Sequence, residues 1–198
     1  MFTNTFPTMR RAALAAMAVS MAGLVFSGCT MTSDKASASA AEQRQEINSG
    51  TDAALTKLYG TSPQAKALVE RAKGVLVFPS VLSASFIVGA EHGKGVLRVG
   101  GVDSGYYSTT AGSVGFQAGA QSKAVILLFM TDEALQKFRD SNGWTVGADA
   151  TVAIATVGAN GSIDTNTAQQ PIVGFVLNNA GLMAGVSLEG AKVSKLDL

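Results

Sequence analysis

The apolar positions of this chain change their period along its length, and each change marks a different kind of segment. An unbroken apolar run, Ala12 to Phe26 with only Ser20 polar, comes first. Residues 30–41 are mostly Ser, Thr and Ala and show no period. Helical spacing follows over 42–73. Ile47, Ala54, Leu55, Leu58 and Tyr59 predict one helix broken at Gly60. Ala65, Leu68, Val69 and Ala72 predict a second, with Ser62 as its cap, Pro63 in its first position and Gly74 as its stop.

From Gly74 the period shortens to that of strands. Val75–Phe78 reads as a short strand ended by Pro79, and Ser85–Ala90 and Val96–Val99 as two strands joined across His92-Gly93-Lys94-Gly95. Ser113–Gln121 alternates but is rich in glycine. Lys123–Met130 is continuously apolar, as a strand buried on both faces would be. Thr131-Asp132-Glu133 opens a helix with Ala134, Leu135 and Phe138 on its apolar stripe, closed by Asn142-Gly143. Trp144–Val157 reads as one long strand, Asn160-Gly161 as a hairpin turn, and Ile172–Leu177 with Leu182–Leu188 as a last hairpin. The fold class is therefore α+β: N-terminal helices, then a mostly antiparallel, glycine-rich sheet or partial barrel with one inserted helix. Glycine within strands marks bulges, bends or a close backbone approach. Gly112, Gly115 and Gly119 group together, as do Gly181, Gly185 and Gly190. Either the sheet is tightly curved there, or a ligand or acyl chain lies against bare backbone.

The first apolar run has Arg10 and Arg11 before it and Ser27 and Gly28 after it. A basic end, a short apolar core and small residues at the cut describe a secretory signal peptide. The run is shorter than the roughly 20 residues that span a bilayer. The tetrad Phe26-Ser27-Gly28-Cys29 resembles the bacterial lipobox, with Phe26 where Leu is usual. The resemblance implies diacylation of the Cys29 thiol, which becomes the mature first residue. It is also the only cysteine in the chain. The expected organisation is a signal peptide over 1–28, a lipidated Cys29 with a flexible tether over 29–41, and one domain over 42–198. General secretion fits the flanking pattern better than twin-arginine export.

Charge and chemistry narrow the function. Loss of Arg10 and Arg11 with residues 1–28 leaves 13 basic and 14 acidic side chains, a formal charge of −1, with none of the basic clustering of a nucleic-acid binder. His92 is the only histidine, so neither a His/Cys zinc set nor a His-based triad beyond Asp103, Ser104 and His92 is available. No nucleophile-elbow pattern surrounds Ser104. Gly93-Lys94-Gly95 fails as a phosphate loop, since Gly89 is one residue out of place and Gly95 stands where Ser or Thr is needed. The expectation is no enzyme, no cofactor, no metal and no catalytic residue.

Ala72-Lys73-Gly74-Val75-Leu76-Val77-Phe78-Pro79, then Gly93-Lys94-Gly95-Val96-Leu97, then Gly115-Phe116-Gln117-Ala118-Gly119-Ala120-Gln121 resemble, in order and spacing, the motifs of the SYLF domain family. The segment Asn179 to Gly190 resembles the family's C-terminal motif most closely. The resemblance implies lipid binding. Eukaryotic members bind phosphoinositide membranes and some bind actin; bacterial members are often small exported lipoproteins. An exported protein meets no actin, so the transferable part is contact with anionic phospholipid or lipopolysaccharide. By resemblance the contact falls to the helical part and its basic residues, here Lys57, Lys66, Arg71 and Lys73. Lys66 and Lys73, seven apart, are expected on one helix face. The other reading of these residues is a solvated helix face balanced by Glu70. The expected location is the cell envelope, with Thr30 after Cys29 favouring the outer membrane facing the periplasm. An envelope protein partner is the alternative to phospholipid.

Overall fold

The computed structural model describes residues 40–158 and 162–198, with side chains described throughout except at 84–88 and 113–120. The signal segment 1–28, Cys29, most of the expected tether and the Asn160-Gly161 turn lie outside the described residues. Residues Ser37–Leu198 make one compact unit, and it holds both buried clusters and every strand pairing described below.

Two helices come first, α1 (Ala40–Thr61) and α2 (Pro63–Arg71). α1 begins two residues before the expected start and runs through Gly60. Pro63 ends it rather than Gly60, because the residue before a proline is pushed out of helical geometry; Ser62 stands extended at φ −156°, ψ 126°. α2 stops at Arg71, with Ala72 already extended. Lys73 is therefore off the helix, and the expectation that it shares a helix face with Lys66 is corrected.

The sheet is built on one very long hairpin, β1 (Gly74–Val99) and β2 (Val102–Phe129). Its turn is Gly100-Gly101, with φ of +58° and +81°, the pair of positive angles that the favoured two-residue hairpin requires. This overturns the turn expected across His92–Gly95, where the strand is continuous and Gly93 faces Thr109 and Lys94 faces Ser108. The glycines there serve packing instead. A Cβ on Gly93 would stand 2.9 Å from the Ser80 carbonyl oxygen, and one on Gly95 would overlap the Val77 carbonyl. β1 thus doubles back, and its stretch 93–97 crosses its own stretch 77–81. Irregularities in the register at Phe78/Val81 and Ser85/Ile87 accompany the bend.

The remaining elements are α3 (Asp132–Asp140), β3 (Trp144–Thr145), β4 (Ala153–Ile154), the one-turn α4 (Thr165–Ala168), β5 (Ile172–Asn178), β6 (Gly181–Leu182) and β7 (Lys192–Leu196). The sheet runs β3-β7-β2-β5-β4, with β1 also paired to β2 and β6 to β5. Among the pairings of these named strands only β4–β5 is parallel. The expected α+β fold with a curled, mostly antiparallel sheet is the one observed. Thr131 caps α3 as expected, accepting from Ala134 N at 3.2 Å. The long strand expected over Trp144–Val157 is instead two short pieces. Between them Asp149 accepts from Thr145 N at 2.7 Å and Gly147, at φ +88°, donates to Ala150 O, so local turn bonds replace the ladder. The return strand expected over Leu182–Leu188 is cut to Gly181–Leu182, and Gly185 at φ +69° follows.

The base of the hairpin and β5 form a central layer covered on both faces, as the apolar run Lys123–Met130 predicted. Val75, Val77, Ile126, Leu128, Val173 and Phe175 point to one face, where Ala54, Leu55, Leu58, Ala65 and Leu68 of α1 and α2 cover them. Leu76, Phe78, Val125, Leu127, Phe129 and Val176 point to the other, under the doubled-back hairpin, β7 and α3. The period of two along each strand produces this division. On the second face Tyr107, Phe129, Phe138 and Trp144 make an aromatic cluster with ring centroids 4.8–6.3 Å apart. Beside it Lys123 Nζ meets Glu91 Oε2 at 2.8 Å, both side chains about five-sixths buried, and Ser83 Oγ donates to Glu91 Oε1 at 3.0 Å. The pair ties the two halves of the doubled hairpin together.

Candidate functional site

α1 covers its face of the sheet in two different ways. Its C-terminal half contributes Ala54, Leu55 and Leu58 to the core. Its N-terminal half is held mainly by a polar stripe at helical spacing, Arg44, Asn48 and Asp52, against the end of the hairpin. Arg98 Nη1 donates to Asp52 Oδ1 at 2.6 Å and its Nε to Asp103 Oδ1 at 3.0 Å. Asn48 Nδ2 donates to Asp103 Oδ2 at 2.7 Å and to the Tyr106 hydroxyl at 3.2 Å. The Arg44 guanidinium stands 5.9 Å from the centre of the Tyr106 ring. Burial alone would lower the affinity of Arg98 for its proton, but its bonds to Asp52 and Asp103 outweigh this and hold its pKa above the ordinary value. Two buried atoms near the middle of α1, Asn48 Oδ1 and Thr51 Oγ1, have no hydrogen-bond partner among the described residues.

The four basic residues expected to meet lipid fall in different settings. Lys57 is exposed on α1, and its Nζ donates to the carbonyls of Asn178 at 2.6 Å and Asn179 at 3.1 Å. These neutral partners leave its charge uncompensated. Arg71 is exposed at the end of α2 and forms no ion pair among the described residues. Lys66 lies 3.8 Å from Glu70, one helical turn on. Lys73 is drawn towards α3, 3.5 Å from Asp132, while its backbone N donates to Phe129 O. The structure therefore leaves Lys57 and Arg71 available on the α1–α2 side and gives Lys66 and Lys73 acidic neighbours.

Two depressions flank α1 and meet at Gly50 and Pro79, where a Cβ on Gly50 would come within 2.9 Å of Pro79 Cβ. One, of about 260 Å3, has Lys57, Lys123, Asn178 and Asn179 on its walls. The other, of about 400 Å3, includes Leu82, His92 and Lys94. The sequence singled out His92 only for a turn and a triad, Lys94 only within the glycine motif around it, and Leu82 not at all. Their joint placement depends on the doubled hairpin, for which the glycine motif around Lys94 was the available signal. Asp103 belongs to the Arg98 contacts, and the exposed Ser104 forms no hydrogen bond with His92 among the described residues. No group of three metal-ligating side chains occurs among the described residues, and no described helix is long and apolar enough to cross a membrane.

Part of the chain is similar to known proteins. Residues 110–197, from the middle of β2 through β7, match the family described as Ysc84, Las17-binding protein actin regulator. SH3 domain-containing YSC84-like protein 1 of Rattus norvegicus is 28% identical over 129 residues, 63% of this chain and 38% of that protein. Its Homo sapiens counterpart is 28% identical over the same length, 37% of that protein, and the Xenopus laevis one 27% over 130 residues. The chain thus spans less than two-fifths of the relatives it matches. The matched stretch carries the glycine strand and the C-terminal motif quoted above, within the doubled hairpin and the strands paired to it, and over this stretch the chain is similar to the SYLF, or Ysc84-like, domain family.

Proposed function

We propose that this protein is a membrane-anchored lipoprotein of the bacterial cell envelope whose SYLF domain binds phospholipid through anionic or phosphoinositide-like head groups. Cys29 carries the acyl anchor, which holds the domain at the outer membrane facing the periplasm. The domain works as a binding module rather than an enzyme. The observation that carries this reading is the state of the cations on the α1–α2 side. Lys57 is matched only by backbone carbonyls, and Arg71 has no acidic partner among the described residues. Each basic group near an anionic surface contributes about 1 kcal/mol, so two to four give weak, salt-sensitive binding. A covalent anchor makes weak binding sufficient, because it keeps the local lipid concentration high.

Sedimentation of residues 37–198 with phosphatidylglycerol vesicles at low ionic strength tests the contact; a domain that stays in the supernatant would refute it. Labelling of the full chain with radioactive palmitate, lost in Cys29→Ala, tests the anchor. A second reading, a structural or protein-contact lipoprotein without lipid affinity, draws support from the family description, which names binding to a protein. A concentration-dependent assembly with no vesicle binding would favour it.

A further inference from the structure

The second depression beside α1 has a character that the basic residues alone do not give it. It is a groove of about 400 Å3 between the N-terminal half of α1 and the doubled part of β1, within the roughly 300–1,000 Å3 of small-molecule sites. Ile47, Pro79 and Leu82 supply its apolar surface. Leu82 is 61% exposed, whereas its neighbour Val81 is 2% exposed, so strand alternation turns Leu82 out of the core and into the groove. Exposed leucine at this level is unusual in this chain: among the described residues only Leu82 and Val102 are large apolar side chains so open to solvent.

The charge at the rim is equally particular. Lys94 Nζ donates to Gln43 Oε1 at 2.6 Å, across the groove from β1 to α1. Its partner is a neutral amide, unlike the carboxylates beside Lys66, Lys73, Lys123 and Lys137. An anion can therefore replace Gln43 without breaking an ion pair. His92 lies two residues earlier on the same strand and lines the same groove. Glu46 is the one carboxylate on its wall, and it disfavours a head group bearing several negative charges.

We propose, resting on the lipid-contact reading above, that this groove takes one acyl chain of a single phospholipid molecule against Ile47, Pro79 and Leu82. The head-group phosphate displaces Gln43 from Lys94, with His92 beside it. Tail and phosphate must be present together. A bare phosphate ester gains only an exposed lysine, which salt screens. A neutral alkyl chain leaves Lys94 on Gln43.

Residues 37–198 titrated with dihexanoyl phosphatidylglycerol, below the concentration at which it forms micelles, provide the test. The expected result is saturable one-to-one binding with NMR shifts at Leu82, His92 and Lys94. Leu82→Glu and Lys94→Glu each weaken it about tenfold or more, and Leu82→Ser weakens it while leaving the unfolding temperature unchanged. Glycerol 3-phosphate, the same phosphate without tails, gives no saturable shift. The absence of saturable shifts, shifts centred elsewhere, or undiminished binding in the variants would overturn the proposal. Vesicle sedimentation separates it from the reading on which it rests. Vesicle binding without monomer binding refutes the groove and leaves the surface contact standing. Monomer binding without vesicle sedimentation refutes the surface contact and leaves the groove.

Discussion

The central layer of this domain is covered on its two faces by unlike means. Under α3 the cover is aromatic: Phe138 packs on Tyr107, Phe129 and Trp144, and α3 itself is fixed by the Thr131 cap. Under α1 the cover is made of small and aliphatic residues towards one end and of ion pairs and amides towards the other. The first face is interlocked by its rings, and its depression, of about 520 Å3, lies outside them between α3 and Lys195. The second has depressions, cations without acidic partners and two buried polar atoms unsatisfied among the described residues. A domain that must stay folded and also meet a variable surface can divide the tasks this way, because tightly packed regions do not deform in small steps.

Removing the aromatic cover has the largest expected effect. Phe138→Ala is expected to cost about 3–5 kcal/mol, read as a lower urea midpoint; a change under 1 kcal/mol would mean that α3 is no pillar. Arg98→Ala comes next. It leaves Asp52 and Asp103 facing each other and is expected to cost about 1–3 kcal/mol, with hydrogen exchange accelerated over 44–52 and not over 132–140. Uniform acceleration would show that α1 and α3 open together. Lys57→Glu and Arg71→Glu are expected to leave stability nearly unchanged and to weaken vesicle binding by about 1 kcal/mol or more each. Raised salt should reproduce the loss. The smallest effect is alkaline. Burial raises the pKa of Tyr107, and burial followed by the charge of Glu70 raises that of Tyr59. A raised acid contributes stability that is present below its ordinary value of 10.0 and fades as pH climbs through its folded value. Thermal melts from pH 8 to 11 should fall only at the top of that range, and the fall should shrink in Tyr107→Phe.

The sequence made the aromatic face easier to read than the α1 face. The continuous run Val125–Phe129 and the capped helix after Thr131 belong to local patterns with a fixed period, so the two-sided central layer and α3 were both legible. The doubled hairpin was not. Its turn, Gly100-Gly101, and its crossing point, Gly93 and Gly95, are all glycines, and only the three-dimensional path distinguishes a glycine that turns the chain from one that lets another strand pass. β7 was missed for a related reason: Val193 is its one deeply buried side chain, too little to set a period. Among the candidate site residues the cations themselves were visible, but their partners were not. Lys73 meets Asp132 and Lys57 meets Asn178 only after distant segments pack together. The groove at Leu82 and Lys94 has the same origin.

Charge reversal on the two faces tests the division of labour most directly. Residues 37–198 carrying Lys57→Glu with Arg71→Glu would be compared, by sedimentation with phosphatidylglycerol vesicles at low salt, with the same piece carrying Lys137→Glu and Lys195→Glu near α3. The first pair is expected to abolish most of the binding and the second to leave it close to that of the unaltered domain. Equal losses from both pairs, or an unaltered domain that never sediments, would contradict that division.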